Sequence, residues 1–235
     1  MLRDDRLRRN ECVSLVHGFL ANRAMLTLLG LRLRQRGYST EPWGYRNMFC
    51  SIMVHAERFA AELRRLDERA GFDQIHLVTH SMGCIIARAA LGIYRPRKLG
   101  RFVMLAPPNR GSAVATATES IFGGMFRPVA ELTTAETSLV NTLPMPEGLE
   151  VGVVAAGMDA LVSAESTRPH APHDHVTVPC LHSSLLYRRD AAELVVGFLA
   201  DGVFPATAPS ATRSRSGPAP LTGVAAGDRV DGGRR

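Results

Sequence analysis

An α/β fold, with a mostly parallel sheet and helices on both faces, is what this sequence predicts, and three observations carry the prediction. Between residues 11 and 106, short apolar runs rich in β-branched residues alternate with longer runs of helical periodicity. Turns containing glycine or proline separate them. With 235 residues, 46% of them hydrophobic, the chain has material for one domain with a sizeable core. Repeated strand, helix, strand succession places the strands side by side and parallel, with the connecting helices packed on the sheet.

Taken in order, residues 1–10 are a charged N-terminal extension and residues 11–202 the foldable domain. Glu11 to Val16 reads as an inner strand that runs straight into His17-Gly18-Phe19. A glycine there lets the backbone turn sharply and leaves the Phe19 amide pointing into the crevice at the strand's end. The plainer reading is an ordinary turn with a hydrogen-bonded His17. Ala24 to Arg36 is a leucine-rich helix closed by Gly37, and Tyr38 to Tyr45 gives a second strand. Ile52, Ala56, Phe59, Leu63, Leu66 and Ala70 recur at steps of three and four, the stripe of an amphipathic helix. Glu62, Arg64, Arg65, Asp67 and Glu68 read as its solvated face.

The stretch from Gln74 to Arg88 organises the rest. Ile75 to Val78 reads as a buried strand, Cys84 to Leu91 as a helix, and between them sits Thr79-His80-Ser81-Met82-Gly83. A serine on a tight strand-to-helix turn has its hydroxyl lifted above the carboxyl end of the sheet, where a nucleophile would stand. Its plain alternative is a helix N-cap. Arg101 to Ala106 is the next strand, ended by Pro107-Pro108-Asn109-Arg110-Gly111-Ser112. Residues 113–143 are irregular and include the apolar cluster Ile121 to Phe126. That segment is either a set of short helices packed on the core or a small flap offering Phe122, Met125 and Phe126 to an acyl chain.

Leu149 to Gly157 is a buried strand followed at once by Met158-Asp159, and Val176 to Pro179 is the last strand, followed by Cys180-Leu181-His182. Asp190 to Leu199 is the closing helix. Residues 203–235 shift to Pro, Ala, Gly, Ser, Thr and Arg without periodicity and read as a disordered tail.

Ser81, Asp159 and His182 thus each follow a strand. Parallel strands discharge on one edge, so the three converge in space. The rival base candidates are His80, too near the serine to face it, and the group His170, His173 and His175, whose spacing fits no familiar zinc site and reads as a solvated loop. Asp174, also read in that loop, is the rival acid. Ser112 and Ser183 read as turn or capping residues.

Together with His17-Gly18-Phe19, Thr79-His80-Ser81-Met82-Gly83 and Ala106-Pro107-Pro108-Asn109-Arg110-Gly111-Ser112, this order resembles the α/β-hydrolase superfamily, in particular its small bacterial lipase- and esterase-like members. The resemblance spans residues 11–200 and implies a minimal cap. It implies that Ser81 attacks an ester carbonyl, His182 takes its proton, Asp159 orients the imidazole, and the amides of Phe19 and Met82 hold the oxyanion. Thr79 and Ala160 stand where relatives often carry glycine.

The expected activity is serine-dependent cleavage of carboxylic esters, with acyl transfer or thioester cleavage by the same triad, or a non-catalytic binding role, as alternatives. No cofactor or metal is expected, and the partner is a small ester or lipid substrate. The net charge of +6 is interleaved with acids, which argues against nucleic acid as a partner. No apolar run reaches the roughly 20 residues of a membrane helix, so no stable membrane insertion is expected. The opening ten residues lack an apolar core and cleavage site, which makes a cytoplasmic location the expectation. Cys12, Cys50, Cys84 and Cys180 read as four buried thiols, with a disulfide pair as the alternative.

Overall fold

Six strands run parallel in a seven-stranded sheet: β1 (Glu11–Val16), β2 (Ser39–Trp43), β3 (Gln74–His80), β4 (Leu99–Leu105), β5 (Val151–Ala156) and β6 (His173–Val178). The seventh, β7 (Thr212–Ser216), pairs antiparallel with β6. The order across the sheet is β2-β1-β3-β4-β5-β6-β7. The computed structural model describes residues 10–45, 50–122, 127–206 and 212–216, without the side chains of 121, 122 and 214–216.

Helix α1 (Thr27–Gln35), entered through a 3-10 turn at Arg23–Leu26, and helix α7 (Arg189–Asp201) cover one face. Helices α2 (Ile52–Glu68) and α3 (Met82–Ile93) cover the other. Leu26, Leu29 and Leu33 pack with Val13 and Leu15 on the first side, while Ile52, Ala56, Phe59 and Leu63 pack with Ile85 and Leu77 on the second. Burying side chains of this size contributes about 1.5–3 kcal/mol each, which is what holds the layers together. Ser51 starts α2 by accepting the Met53 amide at 3.1 Å. Between β4 and β5 the chain forms three short helices, α4 (Ala113–Phe122), α5 (Arg127–Ala130) and α6 (Leu139–Thr142).

Since β2 lies outside β1 and β3 lies on its other side, the chain leaves β1 and β3 in opposite directions. The carboxyl ends of those two strands therefore flank a crevice, the usual place for a ligand in an open α/β sheet.

Several expectations need correction. His173, Asp174 and His175 are buried in β6 instead of lying in a solvated loop, because the strand begins three residues earlier than its apolar half. Asp67 is buried too, accepting the Tyr94 hydroxyl at 2.7 Å and the amides of Arg97 and Lys98 at 3.0 Å. The region after residue 202 is not structureless throughout: Phe204 is in the core and residues 212–216 form β7. Of the cysteines, Cys12, Cys84 and Cys180 are buried and Cys50 is half-buried. Met125 and Phe126 lie outside the described residues, as does the side chain of Phe122. Among the described residues, no helix is long and apolar enough to cross a membrane.

Candidate active site

Ser81 occupies the turn between β3 and α3 with φ 54° and ψ −128°, a backbone conformation that L-residues seldom adopt. The turn is held on both sides, its amide donating to the Leu105 carbonyl and its own carbonyl accepting from Cys84, each at 2.9 Å. Thr79 fits within the core despite its branch. Gly83 meets a stricter requirement, since a Cβ there would lie 2.5 Å from the His17 carbonyl oxygen. A Cβ on Gly18 would lie 2.8 Å from that of Ser81, so these two glycines let the loop after β1 press against the Ser81 turn.

Asp159 and His182 come from the loops after β5 and β6, which are themselves joined by the Met158 amide donating to the Cys180 carbonyl at 3.0 Å. His182 Nδ1 donates to Asp159 Oδ2 at 2.5 Å. The other carboxylate oxygen accepts the amides of Leu161 and Val162 at 2.8 and 3.0 Å. Burial pushes the Asp159 carboxyl upward, but the hydrogen bond and charge of His182, with the two amides, outweigh it and hold the group below the usual carboxylate range. The Asp159 carboxylate is therefore ionised at neutral pH, and its hydrogen bond orients the His182 ring through Nδ1.

Sequence reasoning set His80 aside as a base, and the structure gives it a different place. Its ring lies 4.8 Å from that of His182, and its Nε2–H donates to the His182 carbonyl at 3.3 Å. Burial and the neighbouring His182 lower its pKa to about 3, so it stays neutral beside the His182 ring. This contact brings the loop of His182 against the residue next to Ser81. Among the described residues Ser81 Oγ and His182 make no hydrogen bond with each other; such bonds commonly tighten only when substrate is present.

Tyr45 is a residue that sequence reasoning missed. Its ring stacks on His17 at 4.4 Å, its hydroxyl donates to the His17 carbonyl at 3.1 Å, and its amide donates to His17 Nε2 at 3.3 Å. With Nε2 accepting, the proton resides on Nδ1, which donates to the Gly18 carbonyl at 2.8 Å. That carbonyl belongs to the same rigid peptide plane as the Phe19 amide. Gripping one end aims the other.

The rival acid is accounted for. Asp174 accepts Arg213 Nε at 3.0 Å and the Phe204 amide at 2.8 Å, so it fastens β7 and the end of the domain. His175 bonds Thr167 at 2.9 Å and His173 bonds the Ala171 carbonyl at 2.7 Å, while His170 is exposed. Among the described residues, no group of His, Cys, Asp and Glu is arranged to hold a metal ion. Ser112 donates to the Leu161 carbonyl at 2.6 Å and thereby braces the loop of Asp159.

A family model described as the alpha/beta hydrolase fold matches residues 15–186, well over half of the chain. The chain belongs to that family. No curated protein matches it. Among solved structures, this α/β-hydrolase-fold chain is similar to the mature Bacillus licheniformis lipase BlEst2, at 17% identity and TM-score 0.60 over 74% of this chain and 85% of that one. It is also similar to Aspergillus fumigatus lipase B, at 12% identity and TM-score 0.67 over 87% of this chain and 55% of that one. The Legionella pneumophila phospholipase PlaB matches at 19% identity and TM-score 0.55, over 71% of this chain and 45% of its own. The chain thus spans about half the length of the last two, and at such identities the likeness is one of fold.

Proposed function

We propose that this α/β-hydrolase-fold protein cleaves carboxylic esters through an acyl-serine intermediate. The observation that carries the reading is the His182–Asp159 hydrogen bond set against a backbone-strained Ser81 at the crevice between β1 and β3. In the first half-reaction, Ser81 Oγ attacks the carbonyl carbon as His182 Nε2 takes its proton, and the imidazolium is balanced by Asp159. The amides of Phe19 and Met82 receive the charge on the carbonyl oxygen, and removing one such donor typically costs about 10²- to 10³-fold in rate. The proton then passes from His182 to the departing alkoxide. Water, deprotonated by the same imidazole, releases the acid and restores Ser81.

Lipid-like acyl groups are the favoured substrates because the rim is apolar. Leu20, Val114, Met158, Leu161 and Leu181 are exposed, and four of them lie within two residues of Phe19, Asp159 or His182. The Ser112 side chain joins the loop of Leu161 to the start of α4 beside Val114, since it also accepts the Ala115 amide at 3.2 Å. Exposed apolar side chains gathered round one opening suit an apolar substrate.

The test is reaction with a fluorophosphonate probe and with p-nitrophenyl esters of graded chain length, on the natural chain and on Ser81→Ala. The natural chain becomes labelled, prefers longer acyl groups, and loses both properties in the variant. Equal activity in Ser81→Ala would sink the proposal.

A further inference from the structure

A cavity of about 710 Å³ lies away from the triad, lined by none of Ser81, Asp159, His182 or the His17 to Phe19 loop. Its polar end carries Arg88, two turns along α3 and about 10 Å from Ser81 by helix rise. Its wall is mixed: Val140, Leu143, Met145, Leu149, Val151 and Pro172 supply an aliphatic stretch, and Asn141, Thr142 and His170 supply polar groups.

Arg88 is 4% exposed, and its guanidinium meets only neutral acceptors. Nη1 donates to Asn109 Oδ1 at 3.0 Å, Nη2 donates to the Leu143 carbonyl, and Nε has no partner. Among the described residues no carboxylate forms an ion pair with it, whereas buried Asp67, Asp159 and Asp174 all have charged or hydrogen-bonding partners. Burial lowers its pKa only to about 10, so it is cationic at neutral pH. A buried charge without a counter-charge is costly to keep. An ionised group bordering a partly apolar pocket is also the pattern of a ligand site.

We propose that this cavity is a second ligand site, taking a carboxylate with an aliphatic tail and using Arg88 as the counter-charge. Planar guanidinium and planar carboxylate match in geometry. A singly charged head suits the site better than a phosphate dianion, because Glu147 and Glu150 also line the cavity and, among the described residues, an arginine pairs with the carboxylate of Glu150 alone, Arg101 at 2.8 Å. The tail would lie along the aliphatic stretch. Such a ligand has the chemistry of the acid released from an ester, a link that rests on the proposed reaction; the site itself does not.

Calorimetric titration of octanoate into the full-length Ser81→Ala chain tests this, with octanol and inorganic phosphate as comparison ligands. Octanoate binds with one-to-one stoichiometry, at least about tenfold more tightly than either. Arg88→Gln weakens octanoate about tenfold or more, and so does Met145→Trp, which puts a bulky ring on the aliphatic wall and leaves Arg88 in place. If Arg88→Gln does not fold, Met145→Trp and the octanol comparison still decide. Absence of octanoate binding, equal binding of octanol, phosphate binding as tight as octanoate, or affinity unchanged in Met145→Trp would each overturn the site. A natural chain inert to fluorophosphonate would instead sink the catalytic reading, leaving octanoate binding as it was.

Discussion

In the proposed reaction, the geometry round Ser81 depends on residues that touch no substrate. His17 and Tyr45 hold two consecutive carbonyls of the loop after β1, and the second hold sets the direction of the Phe19 amide. Tyr45→Phe keeps the stacked ring and removes one hydrogen bond, worth about 0.5–1.5 kcal/mol. If that bond matters only when negative charge develops on the substrate oxygen, kcat falls about 3- to 10-fold and KM stays put. Affinity for an alkylboronic acid, which mimics the tetrahedral state, falls by the same factor. A change confined to KM, or to thermal stability, would show that Tyr45 only packs. Ser81, Asp159, His182 and Phe19 could be picked out as candidates because each stands within a few residues of the end of a strand read from its apolar run. Tyr45 could not, since its role depends on β1 and β2 lying side by side, with Val16 opposite Trp43. Arg88 was equally hidden, because nothing in an apolar helix sequence says which acceptor an arginine will meet.

Legibility at the level of elements followed periodicity. β1, β3, β4 and β5 are buried along most of their length, so short, mostly apolar runs announced them, and α2 announced itself through a buried stripe at helical spacing. β6 was read only in its second half, since His173, Asp174 and His175 are polar and are tolerated inside because each has a partner. β7 escaped altogether. Its Thr-Arg-Ser-Arg-Ser sequence has no apolar alternation, and its pairing is tied by an ion pair between Arg213 and Asp174 that sequence separation conceals. The segment between β4 and β5 offered two readings, and the short helices of the first are present; a role in holding an acyl chain would fall on side chains outside the described residues.

For the molecule as a whole, the histidines set the acid limit. His17, His55, His80, His173 and His175 are all buried, and burial lowers the pKa of each, to about 3 for His80 and about 4 for His175. An unfolded chain binds these protons below about pH 6.5, while the folded chain takes them up only at lower pH, far lower for His80 and His175. The unfolded state then binds more protons, so stability is intact above that pH and falls as pH drops through the window. From about pH 7.5 to 5, His80 and His175 together cost about 4 kcal/mol by this linkage. Asp67 and Asp159 are lowered carboxyls, whose contribution is present above about pH 4 and is lost only below it, outside this window. Urea midpoints should therefore be level between about pH 7.5 and 8.5 and drop markedly by pH 5. A flat profile down to pH 5 would contradict the account.

In the proposed reaction, the positive φ at Ser81 sets durability against reactivity. A conformation of this kind costs roughly 1–3 kcal/mol for a residue with a side chain, and glycine adopts it freely at an entropic cost of about 0.5–1 kcal/mol. Ser81→Gly should then melt a few degrees higher than Ser81→Ala while being just as inert. A harder-wearing but chemically silent protein would show that the chain gives up resilience at the one position where its alcohol has to stand clear.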